Sequence, residues 1–292
     1  MIINDNFNNA EKINIPVNMN QKKGKVPKRQ KVIIFFLIFS LLSITVLSLV
    51  LPLCLSKSKK RKRRIFKRDN NINILPPLII NSTSGNHTHT IIFLPGLTNV
   101  PEDFEEVFTG NRITFDKEKD TKILILRSPL VYVSYFDSKN YSWFDIYDFP
   151  LENDSDYNFT DLKESANILG KVIDNEAKIL NGKYENIIIG GHSQGACISL
   201  YHGYNTKKKL GGIFSWSGVL PPGEIRQDKN DLKVYFGYGD QDNIILPSFF
   251  NESIQRIKDF DGFDLYIYKD HLHFVNDDET DDVSNFLNNI IK

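Results

Sequence analysis

The sequence predicts an α/β domain, a mostly parallel sheet with helices on both faces, preceded by one membrane-spanning helix. Two observations carry this. From Thr90 onward, short runs rich in Ile, Val and Leu alternate with amphipathic stretches of helical length, the pattern of a parallel sheet covered on both sides. Ahead of them, Val32 to Leu55 is a run of 24 residues with no charge, where a bilayer core needs roughly 20 apolar helical residues. A cleavable signal peptide has a shorter apolar region nearer the start, and a helix apolar on every face with cations on both flanks does not suit a globular core.

The elements follow in order. Residues 1–31 are polar, rich in Asn and Lys and without hydrophobic periodicity, and read as a disordered tail. Residues 32–55 are the transmembrane helix, and 56–88 a linker, basic at first and then rich in Asn, Ser and Thr. Residues 89–292 are the folded domain. Its strands are expected at Thr90–Leu94, Lys122–Leu126, Asn186–Ile189, Gly212–Trp216, Lys233–Tyr238 and Asp264–Tyr268. Helices are expected at Glu102–Thr109, Asp161–Leu180, Gln194–Tyr204, Ser248–Phe260 and Asp277–Ile291. The Asp161 helix opens with Asp161 and Glu164 in capping-box spacing, and Ala166, Leu169, Ile173, Ala177 and Leu180 form its apolar stripe.

The net charge of zero hides a split: residues 1–68 carry +14 and residues 69–292 carry −14. An acidic body of this kind excludes nucleic acid as a partner, because phosphate neutralisation needs clustered cations. Orientation in the membrane is contested. Seven cations precede the apolar run and nine follow it between Lys57 and Arg68, which leans towards a cytosolic C-terminal domain. Against that stand six N-x-S/T sequons, at Asn81, Asn86, Asn140, Asn153, Asn158 and Asn251, acceptors only in the secretory lumen. Arg61-Lys62-Arg63-Arg64 also resembles a secretory processing site. The balance favours a luminal or extracellular domain. Cys54 lies in the span and Cys197 in the domain, so no disulfide can form within the domain.

The strongest local signal is Ile187-Ile188-Ile189-Gly190-Gly191-His192-Ser193-Gln194-Gly195-Ala196. An apolar strand runs into G-x-S-x-G and then into a helical pattern, the context of a nucleophile elbow in an α/β-hydrolase fold. Ser193 would be the nucleophile, and the helix after it would turn its positive end to the developing charge. A serine hydroxyl needs a base that is itself oriented by a carboxylate, in the chain order Ser, Asp/Glu, His. His202 lies on the helix after the elbow; His271 and His273 follow the last strand, where the base belongs. Asp240 and Asp242 follow the preceding strand, one to orient the base and one to hold the turn.

Five stretches carry a family resemblance: Phe93-Leu94-Pro95-Gly96-Leu97, Ser142-Trp143-Phe144-Asp145-Ile146, Gly190 to Gly195, Gly239-Asp240-Gln241-Asp242, and Tyr268 to His273. In order and spacing the last 200 residues or so resemble the acyl-protein thioesterases and their lysophospholipase/carboxylesterase relatives. The resemblance implies a triad of Ser193, Asp242 and His273, an oxyanion hole from the backbone N–H groups of Leu97 and Gln194, and no cofactor or metal. It implies cleavage of acyl esters or thioesters, with an acylated protein or a lipid ester as substrate. Four positions depart from the family's usual pattern: Pro95 stands for His, Thr98-Asn99 for Gly-Asp, and His192 for an aromatic residue. The family is generally soluble and cytosolic, so the anchor and the sequons are foreign to it.

Between Val131 and Phe159 lie ten aromatic residues. They suggest a lid or wall around an apolar channel lined by Trp143 and Phe144, and hence a lipid-like acyl chain. A small-ester carboxylesterase or lysophospholipase is the alternative. A catalytically dead adaptor on the same fold conflicts with the intact Ser, Asp and His set.

Overall fold

The computed structural model describes residues 75–292. The tail 1–31, the apolar run 32–55 and most of the linker expected over 56–88 lie outside the described residues. Among the described residues, no helix is long and apolar enough to cross a membrane.

Seven strands form one sheet in the order β1-β3-β2-β6-β7-β8-β9. They are β1 (Leu75–Ile80), β2 (His89–Leu94), β3 (Thr121–Arg127), β6 (Ile187–His192), β7 (Gly212–Trp216), β8 (Val234–Gly239) and β9 (Phe263–Tyr268). All neighbours are parallel except β1 against β3. A separate antiparallel hairpin pairs β4 (Leu130–Val133) with β5 (Ser138–Tyr141). The helices are α1 (Glu105–Thr109), α2 (Phe159–Ile179), α3 (Gln194–Asn205), α4 (Pro247–Gln255) and α5 (Asp277–Ile290).

The strands' two-residue period divides the core. Ile92 and Leu94 of β2 point to the face covered by α2, α3 and α4, with Leu169, Ile198 and Phe250. Ile91 and Phe93 point to the other face, with Phe108 of α1 and Val283 and Leu287 of α5. Central strands buried on both sides explain why the sequence reads there as unbroken apolar runs. The whole predicted stripe of α2 is buried.

The sequence reading lacks the β4–β5 hairpin, and three further details differ. Residues 75–80, placed in the linker, form β1. Pro76 and Pro77 disguise it, and they are tolerated because β1 is an edge strand whose register shifts between Leu75 and Leu78. Helix α2 is capped by Asn158, whose side chain accepts from the N–H groups of Thr160 and Asp161, so Asp161 sits inside the first turn. The expected helix over Ser248–Phe260 ends at Gln255.

The central crossover from β6 to α3 positions the site. Ser193, between them, has φ 54° and ψ −118°, a strained conformation for a side chain with a Cβ. The flanking glycines allow it by close approach. A Cβ on Gly191 would lie 2.4 Å from the Gly195 carbonyl carbon, and one on Gly195 would lie 1.9 Å from the Leu94 carbonyl oxygen. We expect Gly195→Ala to push α3 off β2 and destabilise the domain by about 3 kcal/mol or more, on the scale of overpacking. Thermal melting checks this, and an unchanged melting temperature would show that α3 does not pack as described.

Candidate active site

Three loops at the carboxyl ends of β6, β8 and β9 carry the polar residues of interest, where ligands bind in open α/β sheets. Ser193 follows β6 and is buried. Its N–H donates to the Trp216 carbonyl at 2.9 Å, and its carbonyl accepts from Cys197 N–H at 3.0 Å. Its hydroxyl makes no hydrogen bond among the described residues.

Asp242 follows β8. Its Oδ1 accepts from the N–H groups of Ile244 at 2.9 Å and Ile245 at 3.0 Å, leaving Oδ2 for one partner. That partner is His273 Nδ1, at 2.7 Å, and both side chains are buried. A carboxylate bonded this way fixes the ring's tautomer, with the proton on Nδ1 and the lone pair on Nε2. The two loops are stapled together: Asp240 N–H donates to the Tyr268 carbonyl and Gln241 N–H to the His271 carbonyl. Gly239 permits the contact, since a Cβ there would lie 2.3 Å from the His271 carbonyl oxygen.

The whole described domain, residues 76–291, matches the model of the phospholipase/carboxylesterase family. The chain belongs to this family. It is accordingly a serine ester or thioester hydrolase. Acyl-protein thioesterase 1 of Schizosaccharomyces pombe is 32% identical over 177 residues, 59% of this chain and 75% of that one. Acyl-protein thioesterase 1 homolog 2 of Dictyostelium discoideum is 29% identical over 174 residues, 58% and 76% of the two chains. Among solved structures, Arabidopsis thaliana SOBER1 superposes with a TM-score of 0.62 at 20% identity, over 70% of this chain and 99% of that one. Zea mays acyl-protein thioesterase 2 gives 0.59 at 19%, over 74% and 99%. These structural likenesses show the shared fold.

In this member of the family, the segment after β2 bends past the serine. Gly96 lies so close that a Cβ on it would be 3.3 Å from the Ser193 Cβ. Thr98, a β-branched residue, takes φ 68° and is held there by its N–H to the Tyr141 carbonyl at 2.8 Å. Asn99 N–H is taken by the Gly96 carbonyl. The N–H groups of Leu97 and Gln194 have no acceptor among the described residues, as an oxyanion hole requires.

Trp143 and Phe144 need correction. They do not line a channel: they are 3% and 2% exposed and belong to the core. Their polar groups are already engaged, because Trp143 Nε1 donates to the Pro95 carbonyl at 2.8 Å. Gln194 Oε1 accepts from Trp143 N–H and Ser142 Oγ, while its Nε2 donates to the Phe144 carbonyl. Ser142-Trp143-Phe144 therefore braces the loop that carries Leu97 and the residue that carries the second free N–H. The sequence reading missed the Gln194 side chain, and no local signal would have found it, since its partners lie some fifty residues away. The ten aromatics divide: Trp143, Phe144 and Tyr157 are core, while Tyr135, Phe136 and Phe149 pack edge to face nearer the surface.

His271 and Asp240, the alternatives for base and acid, are not paired with each other. Asp240 holds the turn through its backbone. His271 Nε2 lies 3.4 Å from Glu279 Oε2, a fully buried carboxylate on α5, and also contacts the Phe274 carbonyl. His202 is half-buried on α3, and its Nε2 has no hydrogen-bond partner among the described residues. The Glu279 hydrogen bond raises the His271 pKa above its ordinary 6.5, and burial raises that of Glu279. Both shifts favour the protonated form in the folded state. The His271 contribution is therefore complete below about pH 6.5 and is lost as pH rises through its folded value. His271→Ala should lower the melting temperature most below pH 6.5, with the gap to wild type closing at higher pH. A gap that widens with pH would contradict the pairing.

Proposed function

We propose that Ser193, Asp242 and His273 are the catalytic triad, that Leu97 and Gln194 form the oxyanion hole, and that the substrates carry lipid-like acyl groups on protein thioesters or on lipid esters. The observation that carries this reading is the buried Asp242–His273 hydrogen bond at 2.7 Å, borne on loops beside a strained serine at a strand-to-helix elbow. The curated relatives named above are acyl-protein thioesterases, which supports thioesters as substrates.

Ser193 Oγ attacks the acyl carbonyl carbon and its proton passes to His273 Nε2. The carbonyl oxygen becomes an oxyanion, held by the N–H groups of Leu97 and Gln194 and by the positive end of α3. Collapse breaks the bond to the thiolate or alkoxide, which leaves with the proton from His273. Water then attacks the acyl-serine while His273 takes its proton. Release of the fatty acid returns the proton to Ser193. Asp242 holds the ring and stabilises its charged form throughout.

Residues 32–55 anchor this domain in a membrane on its luminal or extracellular side. The sequons support that side: Asn81, Asn86 and Asn153 are exposed and lie outside the helices and strands, open to glycan transfer. Asn158, by contrast, caps α2, and Asn251 lies within α4.

Two tests follow for the full chain in detergent. Ser193→Ala should abolish turnover of p-nitrophenyl esters and palmitoyl-thioester peptides together with fluorophosphonate labelling, while His273→Ala or Asp242→Asn should each lower kcat by about 10³-fold or more. Labelling that persists in Ser193→Ala would place the nucleophile elsewhere. For topology, endoglycosidase should shift the mobility of protein made in cells, and Asn81→Gln, Asn86→Gln and Asn153→Gln should each remove part of the shift. No shift, with the domain digested from the cytosolic side of sealed vesicles, would reverse the orientation.

A further inference from the structure

The mechanism above uses the ring of His273; the backbone of His273 is held by a residue to which that mechanism gives no task. His192 ends β6 immediately before Ser193, and its ring is buried. Its Nε2 lies 2.9 Å from the His273 carbonyl oxygen. A carbonyl can only accept, so Nε2 carries the proton. Burial, then the neighbouring His273, lowers the His192 pKa to about 4, so the ring is neutral near pH 7 and Nδ1 is a bare lone pair. Nδ1 has no hydrogen-bond partner among the described residues and faces Gly96, where an added Cβ would come within 2.9 Å of it.

The place of this bond among its neighbours gives it meaning. The loops bearing Asp242 and His273 are stapled to each other by Asp240 N–H to Tyr268 and Gln241 N–H to His271, and by the Asp242–His273 pair itself. Those bonds fix the rotation of the His273 ring but not its distance from the nucleophile. Ser193 hangs on a different strand. Among the described residues, the hydrogen bond from His192 Nε2 to the His273 carbonyl is the one that joins the loop pair to β6 and its elbow. Packing supports the same contact: the two imidazole rings lie 5.1 Å apart, and Phe104 covers His192 at 5.9 Å.

We propose that His192 is a positioning residue, which sets the height of the His273 imidazole over Ser193 by tying the base loop to the nucleophile's strand. The proposal rests on Ser193 and His273 acting as nucleophile and base. A phenyl ring at this position, closer to the family's usual aromatic, fills much of the same volume but has no N–H to donate. The tie is therefore a property of this chain, and its effect belongs in kcat, because base-to-nucleophile distance governs proton transfer and not substrate binding.

The test compares His192→Phe, which keeps the ring, with His192→Gln, which keeps an amide donor, in the full chain with a short p-nitrophenyl ester. His192→Phe should lower kcat by about 10-fold with KM within about twofold, the scale of one lost neutral hydrogen bond acting through geometry. His192→Gln should stay within about threefold of wild type. Melting curves separate misfolding from misplacement. A His192→Phe kcat equal to wild type, or a folded His192→Gln as impaired as the phenylalanine variant, would overturn the proposal. Should His192→Phe fail to melt cooperatively, the wild-type ring decides the matter. Its ¹⁵N spectrum should show protonated Nε2 and bare Nδ1 over about pH 6 to 8, and the opposite tautomer would overturn the tie. Wild-type turnover that is lost in Ser193→Ala reports on the hydrolase reading alone; a wild type with no turnover would overturn both.

Discussion

The rest of the site depends on one steric constraint: β6 and α3 must meet at an angle too sharp for ordinary backbone. Ser193 absorbs the turn with a positive φ, and its two glycine neighbours let α3 press against both β6 and the carbonyl of Leu94. This contact sets three things at once. It lifts the serine side chain out of the sheet, and it leaves the Gln194 N–H, at the first turn of α3, without an acceptor among the described residues. It also brings the end of β2, and with it the Gly96–Leu97 segment, within van der Waals reach of the serine. Strain of this kind persists only where the surroundings over-determine it, and here they do, because Ser193 N–H and its carbonyl are both bonded.

The second layer is polar and buried. Gln194 ties the elbow to Ser142-Trp143-Phe144, and Trp143 ties that segment to the Pro95 carbonyl. Ser165 Oγ of α2 in turn donates to the Trp143 carbonyl. A chain of satisfied hydrogen bonds in a low-dielectric interior is rigid, because breaking any link leaves a buried group unpaired at about 1–3 kcal/mol. The Pro95–Leu97 segment is therefore held from behind by the core.

The sequence showed the sheet and the elbow clearly because each rests on local pattern: apolar runs of strand length, and glycines two residues either side of Ser193. It left Asp240 against Asp242 and His271 against His273 open, since both members of each pair fit the loop. The structure separates them by long-range contacts, the Asp242–His273 pair on one hand and His271 against Glu279 of α5 on the other. Strand β1 was hidden for a related reason, because Pro76 and Pro77 are acceptable only at a sheet edge. The aromatic stretch misled in the opposite direction. Composition cannot distinguish a wall from a core, and Trp143 and Phe144 turn inward because their polar atoms meet Gln194 and Pro95.

The departures from the family's usual residues at Pro95, Thr98 and His192 fall around one point, the space between Gly96 and Ser193. Pro95 lacks an N–H, yet the group its neighbours need from it is the carbonyl that Trp143 binds, so proline fits and stiffens the segment. Thr98 occupies a left-handed conformation suited to glycine, which the Tyr141 carbonyl enforces through its N–H. His192 supplies the donor that an aromatic ring would lack and reaches the base loop. Each change replaces a freer residue or a nonpolar contact with a constrained one. Together they fix Ser193, the Gly96–Leu97 segment and the loop that carries His273 to one another through the protein itself.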